Sequence, residues 1–381
     1  MDYKDIISKF QTPLYLYDID KLIDRINYLK SKFPNTKIVY AVKANTFVPK
    51  EIEDEVDKYE ICSGGEFDIC NNLKINQAKM VISGVHKDEP TIDRIMSNEG
   101  IGKYTIESIE QFHLLEKLSK KYNRKVHVLI RLTSNNQFGV NEEEFKYILK
   151  NNKELIIDGL EYFSGTQKTS LKRINREVDY INEFVNSVEE EFNIELKEIE
   201  FGPGLPIHYF KDEEFDEDAF LEEMNTIFDR LRHKELLLEI GRSLVASCGY
   251  YFTKIVDMKT NKNGNYVIVD GGINHLVYYG QTMAMRIPYY DVYPKRKENE
   301  KSYNIYGSLC TINDIIVKNI NECDLQIGDT FIFKNVGAYS STEGISLFLS
   351  RDLPMVVLHR NNDYKVVRNT LKTSDINYPN Y

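Results

Sequence analysis

Between residues 37 and 240 a short apolar run gives way eight times to a longer, charged, helix-periodic stretch, and this alternation constrains the fold more than any other feature of the chain. The runs are 37–42, 59–62, 80–84, 103–106, 126–132, 157–163, 198–201 and 236–240. Most are rich in Val, Ile and Tyr, the composition of strands covered on both faces, as parallel strands are. Between them, residues 107–122 place Ile109, Phe112, Leu115 and Leu118 on one face of a helix. Residues 171–192 do the same with Ile174, Val178, Ile181, Val185 and Val188. Eight such units in roughly 210 residues predict an α/β fold, a closed (β/α)8 TIM barrel, with an open doubly wound sheet as the alternative.

After about residue 249 the helical period stops. Strand-like segments follow at 250–258, 266–269, 302–306, 314–317, 330–335, 355–359 and 364–368, with turn signals at Asn263-Gly264 and Asn361-Asn362-Asp363. This half, 249–381, reads as a C-terminal all-β domain, and a chain of 381 residues is long enough for two cores. A net charge of −10 argues against nucleic acid and anionic membranes as main partners. The first residues, MDYKDIISKF, show no export signal, and no stretch approaches a membrane span, so the expected location is cytoplasmic. The cysteines Cys62, Cys70, Cys248, Cys310 and Cys323 are odd in number and scattered, which predicts reduced thiols rather than disulfides. They and the seven histidines form no zinc-ligand spacing, so no metal is expected.

In a (β/α)8 barrel the chemistry sits at the C-terminal ends of the strands, and phosphate often binds after the seventh and eighth. Lys43 follows the first run, where burial would lower its pKa and favour the nucleophilic amine. A lysine reaching out to solvent is the plainer reading of that residue alone. Gly202-Pro203-Gly204 follows the seventh run, its glycines letting backbone approach an anion. Glu239-Ile240-Gly241-Arg242 follows the eighth and sets a carboxylate beside a guanidinium, which could equally be a structural salt bridge. Together these are the parts of a pyridoxal 5'-phosphate site: an amine for the Schiff base, a loop for the phosphate, an acid for the ring nitrogen.

Tyr40-Ala41-Val42-Lys43-Ala44-Asn45 resembles the cofactor-lysine motif of the fold-type III pyridoxal phosphate decarboxylases, the diaminopimelate and ornithine decarboxylase family. The resemblance runs in order through Ser63-Gly64-Gly65-Glu66, Gln137-Phe138-Gly139, Gly165-Thr166-Gln167, the glycine loop and Glu239–Arg242. It continues through Asp270-Gly271-Gly272, Leu309-Cys310-Thr311 with Asp314, and Gly337-Ala338-Tyr339. It implies an alanine racemase/ornithine decarboxylase-like fold in which residues 1–20 give the β-domain a strand at Leu14–Tyr17, and 21–248 form the cofactor-binding barrel. It implies that Lys43 carries the cofactor, that Glu239 faces the pyridine nitrogen, and that Phe163 stacks on the ring. It further implies that Thr166, Gly202, Gly204, Gly241, Arg242 and Tyr339 line the cofactor site. Cys310 would be the proton donor and Asp314 a substrate contact, both reaching the neighbouring subunit of a homodimer with shared active sites.

The chain departs from the family pattern in four places. Phe163 stands where the family usually has a stacking histidine, and it cannot donate a hydrogen bond or titrate. Pro203 and Pro206 replace glycines, and Pro203 removes an N–H from the phosphate loop. The run from Cys310 to Asp314 lacks the glutamate and serine of diaminopimelate decarboxylases, and Ile273–Gly280 lacks their arginine for a distal carboxylate. The branch that decarboxylates glutamate thioesterified to a carrier protein in butirosin biosynthesis is a closer match, through Phe163, Gly165-Thr166-Gln167 and L-C-T-x-x-D. The expected substrate is therefore an amino acid joined to a carrier protein or another larger group, in specialised metabolism. The alternatives are a decarboxylase of free basic amino acids and a catalytically inactive regulatory homologue. A racemase and a metal-dependent hydrolase fit less well.

Overall fold

The structure, a computed structural model, describes residues 1–379. The chain divides into two compact units, and one of them is a closed barrel of eight parallel strands. Strand β1 (Leu14–Asp18) precedes it in sequence and belongs to the other unit. The barrel strands are β2 (Lys37–Ala41), β3 (Lys58–Ile61), β4 (Met80–Ile82), β5 (Lys103–Ile106), β6 (Val126–Leu132), β7 (Leu155–Phe163), β8 (Glu198–Gly202) and β9 (Glu235–Ile240). β9 returns to β2 with Glu239 opposite Val39, which closes the ring. All eight expected strands are present, and the open sheet is excluded. The connecting helices start where the sequence supplies caps. Ser108 accepts from the Gln111 amide ahead of helix Ile109–Lys121, and Ser170 from Arg173 ahead of Leu171–Phe192. Each such cap stabilises its helix by about 1 kcal/mol.

The register decides what fills the barrel. Side chains alternate across each strand, so register partners on neighbouring strands face the same side. Arg131 pairs with Glu161 and Glu161 with Glu200, which puts three charged side chains on one face of β6, β7 and β8. All three are buried, so the barrel interior is partly ionic.

The other unit comprises Met1–Leu22, Ile207–Phe215 and the chain from Val245 onward. After β1 its strands are β10 (Gly249–Asn261), β11 (Gly264–Val269), β12 (Tyr290–Tyr293), β13 (Glu300–Tyr306), β14 (Ile315–Cys323), β15 (Thr330–Lys334), β16 (Met355–Arg360) and β17 (Asp363–Arg368). β1 lies between β10 and β16, antiparallel to the first and parallel to the second. Leu14, Leu16, Tyr250, Phe252, Ile332 and Val357 pack with Ile6 in one apolar cluster. Each fully buried aliphatic side chain there contributes about 2 kcal/mol. Asn361 and Asn362, both at positive φ, make the tight turn from β16 to β17, a conformation asparagine tolerates. Strand β12 was not legible in the sequence. It has four residues, lies between Pro288 and Pro294, and among the described residues β15 is the one strand it pairs with.

Candidate active site

Lys43 lies in a single 3-10 turn, Val42–Ala44, immediately after β2. Its Nζ is 2.8 Å from Glu60 Oε2, 3.3 Å from Glu239 Oε1 and 3.6 Å from Cys62 Sγ. Burial pushes the amine down, but Glu60, Glu239 and Cys62 outweigh it and hold Lys43 well above the ordinary lysine value. The expectation of a lowered pKa is thus corrected: the amine is an ammonium, and it must give its proton to a neighbour before it can attack a carbonyl. The sequence hid this because Glu60 is 17 residues away and reaches Lys43 only through the pairing of β2 with β3.

The two carboxyls beside Lys43 are not equivalent. Glu60 is also desolvated, but Lys43 and a hydrogen bond from Glu239 bring it down to about 2. Glu239 is raised well above the carboxylate range by burial and by the charge on Glu60, so it is the member of the pair that keeps the proton. A carboxyl that holds a proton is suited to meet a basic ring nitrogen.

The loops after β7, β8 and β9 lie close to one another. Gly204 sits at φ +63, and a Cβ there would come within 2.2 Å of the Gly165 carbonyl oxygen, so neither the backbone angle nor the space admits a side chain. The Gly204 carbonyl accepts from the Lys168 amide at 2.9 Å, and Arg242 Nε lies 3.3 Å from Thr166 Oγ1. Lys168 is buried, its Nζ 2.7 Å from Glu177 and 3.4 Å from the Gly202 carbonyl, and the sequence reading missed it. Phe163 lies against the backbone of Gly202, with the Arg131 guanidinium 5.8 Å from its ring centre. Gly241 links β9 to the short helix that begins at Arg242. An amine, a proton-bearing carboxyl and a glycine cradle next to a hydroxyl and a guanidinium fit pyridoxal phosphate.

Ser63-Gly64-Gly65-Glu66 serves the local fold. The Ser63 hydroxyl accepts from the Glu66 amide, and the Glu66 carboxylate accepts from the Cys62 amide at 2.7 Å, which fixes the chain end that carries Cys62. A cavity of about 800 Å³, lined by Thr133, Glu142, Tyr162, Arg176 and Tyr180 among others, lies against helices Glu142–Asn151 and Leu171–Phe192. Tyr162 alternates with the inward-facing Glu161, so this cavity is outside the barrel wall.

In the other unit Cys310 is exposed. Tyr339 adopts φ +63 in the turn after β15. Asp314 is 1% exposed, and its two oxygens accept from the amides of Ile273 (2.8 Å) and Leu309 (2.7 Å). Gly272 and Gly307 leave room for that carboxylate, since a Cβ on either would come within 2.6 Å of it. Burial holds the carboxyl above its ordinary range against the pull of the two amides. A substrate contact, as expected for Asp314, is not what this burial offers; the residue ties the Asp270-Gly271-Gly272 turn to the turn that carries Cys310. Replacing Asp314 with alanine leaves two buried N–H groups unpaired, and urea unfolding is expected to show a loss of roughly 2–4 kcal/mol.

The model of the pyridoxal-dependent decarboxylase pyridoxal-binding domain matches residues 19–246. The chain belongs to this family. Its cofactor is pyridoxal phosphate and its reaction class is the decarboxylation of an amino acid. Among the relatives of this decarboxylase is the L-glutamyl-[BtrI acyl-carrier protein] decarboxylase of Niallia circulans, 26% identical over 97% of this chain and 94% of that protein. The diaminopimelate decarboxylase of Neisseria meningitidis is also 26% identical, over 96% of this chain and 92% of its own length. The solved diaminopimelate decarboxylase of Methanocaldococcus jannaschii, in complex with L-lysine, superposes with a TM-score of 0.88 at 23% identity, covering 99% and 94% of the two chains. Among the described residues, no helix of this chain is long and apolar enough to cross a membrane.

Seven residues around the site were missed in the sequence: Glu60, Cys62, Lys87, Arg131, Glu161, Lys168 and Glu200. Four of them did leave a signal. Glu60, Arg131, Glu161 and Glu200 are charged residues inside otherwise apolar strands, where an unpaired charge is costly and calls for a reason.

Proposed function

We propose that this decarboxylase acts on an amino acid whose distal end is joined to a larger group, foremost a glutamyl residue thioesterified to a carrier protein. The observation that carries the reading is in the segment where diaminopimelate decarboxylases have an arginine for the distal carboxylate. Ile273–Gly280 contains no lysine or arginine. Its only titratable side chain besides tyrosines, His275, is pushed down to about 4 by burial, with Nδ1 at 3.1 Å from the Tyr251 hydroxyl and Nε2 at 2.9 Å from the Asp352 carbonyl. A neutral histidine committed to its own unit offers no charge to a distal carboxylate. The likeness to the carrier-linked glutamate decarboxylase of Niallia circulans supports the same reading.

Pyridoxal phosphate, when bound, supplies the electron sink for the charge left as carbon dioxide departs. In this reading Lys43 holds the cofactor, and Glu239 keeps a proton available at the ring nitrogen. Thr166, Gly202, Gly204, Gly241, Arg242 and Tyr339 hold and orient it, and Phe163 covers the ring. Cys310 delivers a proton to the reacting carbon across a homodimer, which gives its exposed thiol a partner surface. Asp314 keeps the Cys310 turn in place. The test is carbon dioxide release from carrier-linked glutamate beside free lysine, ornithine and diaminopimelate. The thioester is expected to be preferred by on the order of 10² or more in kcat/KM. Efficient turnover of a free basic amino acid, with none of the thioester, would overturn the substrate assignment and leave the reaction class standing.

A further inference from the structure

Glu161 and Glu200 are both 0% exposed, are register partners on adjacent strands, and have four carboxyl oxygens without a hydrogen-bond donor among the described residues. Two buried carboxylates at neighbouring positions, with no donors, cannot both carry charge. The surroundings do not rescue them. Arg131 on β6 lies 3.3 Å from Glu161 at an angle that makes no hydrogen bond, and its other end is bonded to Glu107 at 3.1 Å. Glu161 feels the charges of Glu60, Glu107 and Lys87. Glu200 feels those of Glu60, of Glu239 on the adjacent β9 and of Glu198 two residues earlier on β8, which is itself paired with Lys103. Lys87 donates to the Gly84 carbonyl and to Gln111, and burial brings it down to about 8. Lys43 is taken by Glu60 and Glu239. Glu60, Glu107, Glu161, Glu200 and Glu239 thus outnumber Lys43, Lys87 and Arg131, and protons must make up the difference.

We infer that Glu161 and Glu200 between them keep at least one carboxyl protonated inside the barrel at neutral pH, a buried acid store that sets the protonation of Glu239 and, through it, of the cofactor ring. Both are positioning residues. Burial and the neighbouring carboxylates push Glu161 up to about 7 against the pull of Arg131, and raise Glu200 well above its ordinary value. As pH rises through neutrality the store releases a proton to solvent, and the new negative charge strengthens the hold of Glu239 and Lys43 on their own protons. A glutamine at 161 keeps the shape and the uncharged form at every pH, so it removes that step.

The test has two parts, and the first needs neither cofactor nor substrate, so it is independent of the substrate reading. Infrared spectra of the cofactor-free protein at neutral pH should show the carbonyl band of a protonated carboxylic acid. That band should weaken in Glu161→Gln and in Glu200→Gln and decline in wild type as pH is raised. In the second part, the visible band of the cofactor-loaded protein is titrated. Wild type should show a step near neutrality that Glu161→Gln lacks, or displaces by about one pH unit or more. A protonated-acid band that survives unchanged in both variants belongs to Glu239 alone and overturns the proposal. So does its absence in wild type, or an identical visible titration in Glu161→Gln. If added Mg²⁺ or Mn²⁺ binds to the cofactor-free wild type and removes the band, the carboxyls hold a cation instead of a proton and the proposal also fails. Should one variant not fold, the other and the wild-type infrared titration still decide.

Discussion

Lys43→Ala is expected to lower carbon dioxide release by on the order of 10⁴ or more, the scale seen when a covalent nucleophile is removed, while the barrel remains folded. The two halves of that statement have separate causes. Activity is lost because no other amine lies against both Glu60 and Glu239 at 2.8 and 3.3 Å among the described residues. Folding survives because the charge balance can adjust. Glu60 stays down near 2 largely through Lys43, and without the ammonium its desolvated carboxyl rises and takes up a proton. Circular dichroism and an activity assay on the same preparation separate the two effects. A variant that loses activity only because it unfolds would contradict the role given to Lys43.

Glu239→Gln should cost roughly 10²–10³ in kcat, the range for removing one preorganised electrostatic partner of a reacting centre, with little change in substrate KM. Glutamine can still hydrogen-bond to Glu60, so the local shape is kept. What it cannot do is exchange a proton with a ring nitrogen. Glu239 is raised because burial and the charge on Glu60 both oppose its ionisation, and that makes it a proton holder beside an ammonium. If the variant loses cofactor affinity and keeps kcat, Glu239 acts in binding rather than in the reaction.

Much of the fold was legible because buried parallel strands carry their signal locally. The runs from 37 to 240 are mostly apolar, with single charged residues set among Val, Ile, Leu and Tyr, and each became a barrel strand. Strand β12 was hidden because its stability is not local: four residues between prolines become a strand by pairing with β15. Residues Ile207–Phe215 fall within the barrel stretch of the sequence but group with the β-unit, and nothing in their composition says so. The site was legible as a set of residues more than as an electrostatic system. Lys43 and Glu239 stood out as residue types at strand ends. The environment that reverses the expected pKa of Lys43 comes from Glu60, whose sequence neighbours are plain strand residues. Asp314 could be read as belonging with Cys310, but its full commitment to the amides of Ile273 and Leu309 depends on a turn about 40 residues earlier.

The most direct test of the central claim is to load the protein with pyridoxal phosphate, reduce it with borohydride, and map the modified peptide by mass spectrometry. Two other lysines of the barrel unit have amines lowered by desolvation, Lys87, brought down to about 8, and the buried Lys168, so the outcome is a real choice between amines. On the present account the reduced cofactor is found on the peptide that carries Lys43, and the label is lost in Lys43→Ala. Labelling of Lys87 or Lys168 in wild type, or labelling that persists in Lys43→Ala, would contradict it.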